Sequence, residues 1–202
     1  MRLNGVWVNW RFNDKYAVGA AEYDLDRSAI SSGEFTFQDS FDPDAGECLL
    51  NYDRNAGALA DVLILPALLM ALIVRGAAWQ ALSSLAAGHF HARPIKVRTR
   101  DRMLADYMAV KPAESVACID LDRSIGIEWT MPLRFTQRWH RLVFRENCLG
   151  DLPWAREEFT SELVVNDTLR AALTEIDPKG VNFVRPEDMI SPARPRKKAP
   201  WD

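Results

Sequence analysis

The string Asp24-Leu-Asp-Arg-Ser28 recurs without change as Asp120-Leu-Asp-Arg-Ser124. Such an echo supports an internal duplication, because self-similarity within a chain marks repeated architecture. A longer pair of segments points the same way. Leu72-Ile-Val74 leads through a helical pattern to Gly88-His-Phe-His-Ala-Arg-Pro94, and Leu163-Val-Val165 leads through another to Gly180-Val-Asn-Phe-Val-Arg-Pro186. Both read as strand, helix and returning strand. The short strings lie 96 residues apart and the longer segments 91 to 92, so a small insertion separates them. The expectation is an α+β fold of two related halves, 1–98 and 99–190, each with strands and one main helix, sharing a core. Coincidence of a common strand–helix–strand pattern is the competing reading.

The second helix is the clearer of the two. Leu169, Ala172, Leu173 and Ile176 fall at i, i+3, i+4 and i+7, on one face. Asn166 suits the N-cap, Asp167 suits the positive end of the helix dipole, and Pro178 and Gly180 stop the helix. In the first copy Ala78, Trp79, Leu82, Leu85 and Ala86 supply the apolar face and Gly88 the stop. Alternation over Val6 to Phe12 predicts a strand, as do Glu34–Phe37, Ser115–Ile119 and Trp139–Phe144. Phe41-Asp-Pro-Asp-Ala-Gly46 carries turn chemistry.

At 202 residues, 48% hydrophobic and 26% charged, the chain can hold a core without staples. A net charge of −3 excludes a strongly basic nucleic-acid binder. Cys48, Cys118 and Cys148 form an odd, widely spaced set, which reads as three reduced thiols, with Cys118 buried and inert in an apolar strand. No apolar segment follows the N-terminal Met1, so no secretory signal is expected. The longest apolar run, Val62 to Val74, is thirteen residues and contains Pro66, short of the roughly 20 that span a bilayer. The cytoplasm is the expected compartment. Residues 191–202 hold three prolines and four basic residues and read as a disordered tail.

The sequence carries few marks of catalytic chemistry. There is no Gly-x-Gly-x-x-Gly, no phosphate loop, no Gly-x-Ser-x-Gly and no His-Glu-x-x-His. His89 and His91 could share one strand face and bind zinc, but no further ligand stands nearby at a familiar spacing. The pairs Asp24/Asp26 and Asp120/Asp122 could hold a divalent cation; each is followed at once by arginine, and a structural role, either a carboxylate–guanidinium pair or a turn in which aspartate accepts backbone N–H bonds, is the favoured reading of the repeated string. Charge is unevenly spread. From Asp14 to Asp61 there are eleven acidic and three basic residues; from Arg75 to Arg102 there are six basic residues and one acid. Such an acidic surface attracts cationic partners, although a solvated loop gives the same statistics. Seven tryptophans serve as interface anchors or as core.

Residues 142–189 run Leu-Val-Phe-Arg145, an irregular stretch through Trp154, Glu162-Leu-Val-Val-Asn-Asp-Thr-Leu169, a helix, and Gly180-Val-Asn-Phe-Val-Arg-Pro-Glu-Asp-Met189. This resembles the closing part of the bacterial polymorphic-toxin immunity family numbered eleven, formerly a domain of unknown function. Asp61-Val-Leu-Ile-Leu65 and Cys118-Ile-Asp-Leu-Asp122 resemble its earlier strands, so the resemblance covers about 61–190. Asn166 stands where the family usually has serine, and residues 1–60 match poorly. The resemblance implies a non-enzymatic inhibitor without cofactor, metal or catalytic residues. Its partner would be a cognate toxin encoded by a neighbouring gene, with no role for nucleic acid or membrane. Monomer and homodimer both stay open. If the toxin's working face is basic, Asp39, Asp42, Asp44, Glu47 and Asp53 would take the place of phosphates. The alternative is a metal-dependent enzyme using the aspartate pairs or His89 and His91.

Overall fold

The computed structural model of the chain describes residues 6–9, 21–24, 26–28, 46–64, 71–130, 135–176 and 183–189. Its strands are β1 (Val6–Asn9), β2 (Ala21–Tyr23), β3 (Leu49–Tyr52), β4 (Val62–Ile64), β5 (Leu72–Val74), β6 (Phe90–Arg98), β7 (Met103–Pro112), β8 (Ser115–Val116), β9 (Glu128–Thr130), β10 (Phe135–Arg138), β11 (Trp154–Glu157), β12 (Leu163–Asn166) and β13 (Phe183–Val184). The helices are α1 (Gly76–Leu85) and α2 (Asp167–Ile176). A six-stranded sheet runs β2-β3-β6-β7-β5-β4, a five-stranded sheet runs β13-β1-β12-β11-β8, and β9 pairs with β10 as a hairpin. The fold is α+β, as the patterning predicts.

The two sheets share one plan. β4 pairs antiparallel with β5 through Val62↔Val74 and Leu63↔Ile73, and β11 pairs antiparallel with β12 through Trp154↔Val165 and Ala155↔Val164. Ala109 of β7 sits between Ile73 and Arg93, and Val8 of β1 sits between Val164 and Val184. Each partner of Val8 thus lies 91 residues after the matching partner of Ala109, the offset of the strand–helix–strand segments. The first strands have changed places. β1 opens the 1–98 segment but completes the five-stranded sheet; β7 opens the 99–190 segment but fills the centre of the six-stranded one. Pulling the segments apart would break ladder hydrogen bonds on both sides of two strands, leaving backbone groups unpaired.

The helices meet between the sheets. Ala78, Leu82 and Ala86 of the α1 region and Leu169 and Leu173 of α2 pack with Val62, Leu72, Val74, Val110, Trp154 and Val165 in one buried cluster drawn from both sheets. Asn166 caps α2: its Oδ1 accepts the Leu169 N–H at 2.9 Å. α1 follows Arg75, whose side chain makes no cap. Leu85, expected on the apolar face, is 40% exposed, because Ala78, Leu82 and Ala86 already form the inward stripe. Gly88, at φ +79°, ends the helical turn in the left-handed region that glycine adopts without penalty. A second cluster covers the far face of the six-stranded sheet (Leu50, Leu63, Ile73, Val97, Tyr107), and a third covers that of the five-stranded sheet (Cys118, Ile119, Leu142, Ala155, Val164).

The structure departs from the strands expected over 115–119 and 139–144 and from the three reduced thiols. β8 ends at Val116, so Cys118 lies outside it. Trp139–Phe144 is not a strand: it joins only through the isolated pairings Ile125↔Arg141 and Ile119↔Phe144. Trp139 and Leu142 are buried while His140 and Arg141 are exposed, a spacing of three that an alternating strand cannot serve. Nor are the three thiols all reduced. Cys118 and Cys148 form a disulfide with Cα atoms 5.1 Å apart, and Cys48, buried in the core, takes no part in it. The 30-residue separation gave no sign of the pairing, which exists because the chain returns alongside Cys118, where Arg145 N donates to the Cys118 carbonyl at 2.8 Å. The predicted strand at 34–37, most of the turn at 41–46, Gly180 and the 191–202 tail lie outside the described residues. Among the described residues no helix is long and apolar enough to cross a membrane.

Candidate functional site

β3 and β6 run parallel, with Leu49↔Lys96, Leu50↔Val97 and Asn51↔Arg98 in register. Leu50 and Val97 point into the core, so the alternate positions carry their polar side chains on the other face. That face and its rims form a row of opposite charges. Lys96 Nζ meets Glu47 Oε2 at 2.7 Å, Arg98 Nη1 approaches Asp24 Oδ2 at 3.9 Å, and Arg100 holds Asp53 Oδ1 with Nε at 3.0 Å and Nη2 at 2.9 Å. The acidic N-terminal stretch and the basic middle of the sequence therefore meet here, in alternation. The Asn51 amide lowers the Asp24 carboxyl below its ordinary range, and the Arg100 guanidinium does the same for Asp53.

At the start of β3 a cavity of about 230 Å³ opens between Gly46, Glu47, Arg93, Pro94, Lys96 and Ala105. Arg93 is buried; its Nη2 donates to the Gly46 carbonyl, and its Nη1 has no acceptor among the described residues. Pro94 offers no backbone N–H to β3 at this point, and the described ladder begins where Lys96 N donates to Cys48 O at 2.9 Å.

Of the acids proposed for partner binding, Glu47 and Asp53 stand on this surface, each already paired with a cation of β6 or the turn after it. Asp39, Asp42 and Asp44 lie outside the described residues. The aspartate pairs are turn elements. Asp24 Oδ1 accepts Arg27 N at 3.1 Å and its Oδ2 accepts the Asn51 side chain at 2.9 Å; Asp120 Oδ1 accepts Arg123 N at 3.2 Å. Asp26 and Asp122 are exposed. His89 is engaged within the fold: its Nδ1 lies 3.0 Å from Glu114 Oε1, and its carbonyl accepts Trp154 Nε1–H at 2.8 Å. Among the described residues no three His, Cys, Asp or Glu side chains gather as a metal site.

Sequence reasoning missed Glu157. Its side chain is fully buried, and the carboxylate accepts N–H bonds from Ile119 at 3.3 Å, Phe159 at 2.8 Å and Thr160 at 2.7 Å, plus the Thr160 hydroxyl at 3.0 Å. Burial pushes this carboxyl up against those four bonds, which pull it down. Only Thr160, three residues on, hints in the sequence at such a clasp.

No protein-family model matches the chain, and no curated protein matches it either.

Proposed function

We propose that the chain is an immunity protein, which binds and neutralises a cognate bacterial toxin by stoichiometric contact in the cytoplasm of the producing cell. The observation that carries the reading is the charged row along β3 and β6 and their ends, where Glu47, Asp53, Lys96 and Arg100 stand at the surface beside a cavity. A surface of alternating sign favours a partner of complementary alternation and fixes the register in which it docks. The resemblance of residues 61–190 to the immunity family supports the same role, and the aspartates of the repeated string are engaged in turns.

Co-expression with the product of the neighbouring gene tests the proposal: growth is restored and the two proteins co-purify. Failure of the pair both to associate and to restore growth overturns it. The contact surface is tested separately by the double variant Glu47→Lys, Asp53→Lys, which should slow association, most at low salt, because rim charges act chiefly on the encounter rate. Unchanged kinetics would move the contact elsewhere.

A further inference from the structure

We propose that the Cys118–Cys148 disulfide is a redox-operated clamp on residues 118–148, fastened when oxidised and released when reduced while the rest of the fold persists. The two copies of the repeated string supply an internal control. In the first, Asp24 N donates to Leu49 O at 3.0 Å, Leu49 N donates to Ser28 Oγ at 3.0 Å, and Tyr23 pairs with Leu50. In the second, Asp120 N donates to Val143 O at 2.8 Å, Val143 N donates to Ser124 Oγ at 2.9 Å, and Ile119 pairs with Phe144. The staple is the same. Its surroundings are not.

In the first copy, the strand that receives the string is β3, held by β2 on one side and β6 on the other. In the second, the corresponding residues around Val143 and Phe144 lie in neither main sheet. Counting with the same offsets, Cys118 corresponds to Glu22 and Cys148 to Arg54, so the first copy carries no cysteine at either place. Among the described residues, the disulfide thus stands where the segment that receives the string has no second neighbouring strand. It closes the segment that bears the string, the β9–β10 hairpin and the exposed apolar side chains of Leu121 and Ile125. A cross-link acts on the open ensemble of the loop it closes, so its loss is felt in that loop first.

The chemistry is thiol–disulfide exchange with a low-molecular-weight disulfide such as glutathione disulfide. The Cys148 thiolate, the more accessible of the two, attacks it and releases one glutathione. The Cys118 thiolate then attacks Cys148 Sγ, forming the S–S bond and releasing the second glutathione. Two thiols lose two protons and two electrons, and both electrons go to the glutathione disulfide. Reduction by excess thiol reverses the sequence through attack at Cys148.

The test is amide hydrogen exchange by mass spectrometry on the full chain, oxidised with glutathione disulfide or reduced with a phosphine. Reduction should speed exchange across 119–125 and 141–145 by about tenfold or more, while the amides of β3 and β6 keep their rates. The variant Cys148→Ser should behave in oxidant as the reduced protein does. Three free thiols after treatment with oxidant, unchanged exchange on reduction, or equal acceleration in both sheets would each overturn the clamp. Should Cys148→Ser fail to fold, the reduced and oxidised native chain still give the answer.

Discussion

The string Asp-Leu-Asp-Arg-Ser makes one turn in two settings. Asp24 and Asp120 each take the N–H of the arginine three residues on, and Ser28 and Ser124 each take the N–H of a returning segment, Leu49 or Val143. Around Leu49 a six-stranded sheet absorbs that segment. Around Val143 the chain falls back on isolated pairings, the disulfide and the Glu157 carboxylate, which reaches Ile119 N. Local hydrogen bonding is therefore carried by the repeated residues themselves, while the extension of a ladder depends on whether a neighbouring strand is at hand. The same asymmetry appears inside the shared core, where the position filled by Val62 opposite Val74 is filled by Trp154 opposite Val165.

That substitution gives the largest effect by which the comparison can be broken. Trp154 is fully buried and its Nε1–H reaches the His89 carbonyl, so it ties the five-stranded sheet to the residue that precedes β6. Trp154→Ala should cost about 3–5 kcal/mol, read from urea unfolding, with a cavity between both sheets rather than damage to one. A loss below about 1 kcal/mol would mean that the sheets do not share this core. Next come the serines. Ser28→Ala and Ser124→Ala each strip a backbone N–H of its acceptor and should cost about 1–2 kcal/mol. If support by a sheet is what separates the halves, Ser124→Ala should additionally raise hydrogen exchange near Val143, and Ser28→Ala should leave β3 protected.

Asn166→Ala, which removes the cap of α2, should cost about 1 kcal/mol by the same unfolding measurement. The matching position before α1 is Arg75, which caps nothing; its Nε reaches Asp61 Oδ1 at 2.6 Å, and its guanidinium lies 5.0 Å over the Tyr107 ring. Arg75→Ala should thus loosen the six-stranded sheet more than the helix start.

The smallest effect concerns pH, and it runs in opposite senses in the two halves. Burial raises the Glu157 carboxyl in the folded protein, so its contribution to stability is fully present below the ordinary carboxylate range and is lost as pH rises through the raised folded value. Melting temperature followed from about pH 4 to neutrality should fall more in the native chain than in Glu157→Gln, which does not titrate. Parallel curves would remove Glu157 from the account. The Asp53 carboxyl, lowered by Arg100, works in the opposite sense: its pairing is kept at neutral pH and is lost as pH falls through the lowered folded value.

Much of the framework was legible beforehand. The α2 face, its Asn166 cap and the strands flanking each helix follow from spacing and side-chain chemistry within a dozen residues. The turn role of Asp24 and Asp120 was readable from the repetition of their string. The charged row was half legible: separate acidic and basic stretches were visible, but not that Glu47, Asp24 and Asp53 would each face a cation of β6 or the turn after it. Their separations of 47 to 74 residues are set by strand register, which no local pattern encodes.

By itself, then, the sequence determined the repeated units: two turns, two strand–helix–strand segments and the faces they bury, because short-range hydrogen bonds and hydrophobic period depend only on neighbouring residues. Tertiary structure alone decided the exchange of β1 and β7, the union of Cys118 with Cys148, the clasp at Glu157 and the pairing of charges across β3 and β6. Each joins residues far apart along the chain. Their meeting depends on the packing of whole sheets around a common core, where burial of apolar surface outweighs the entropy of closing long loops.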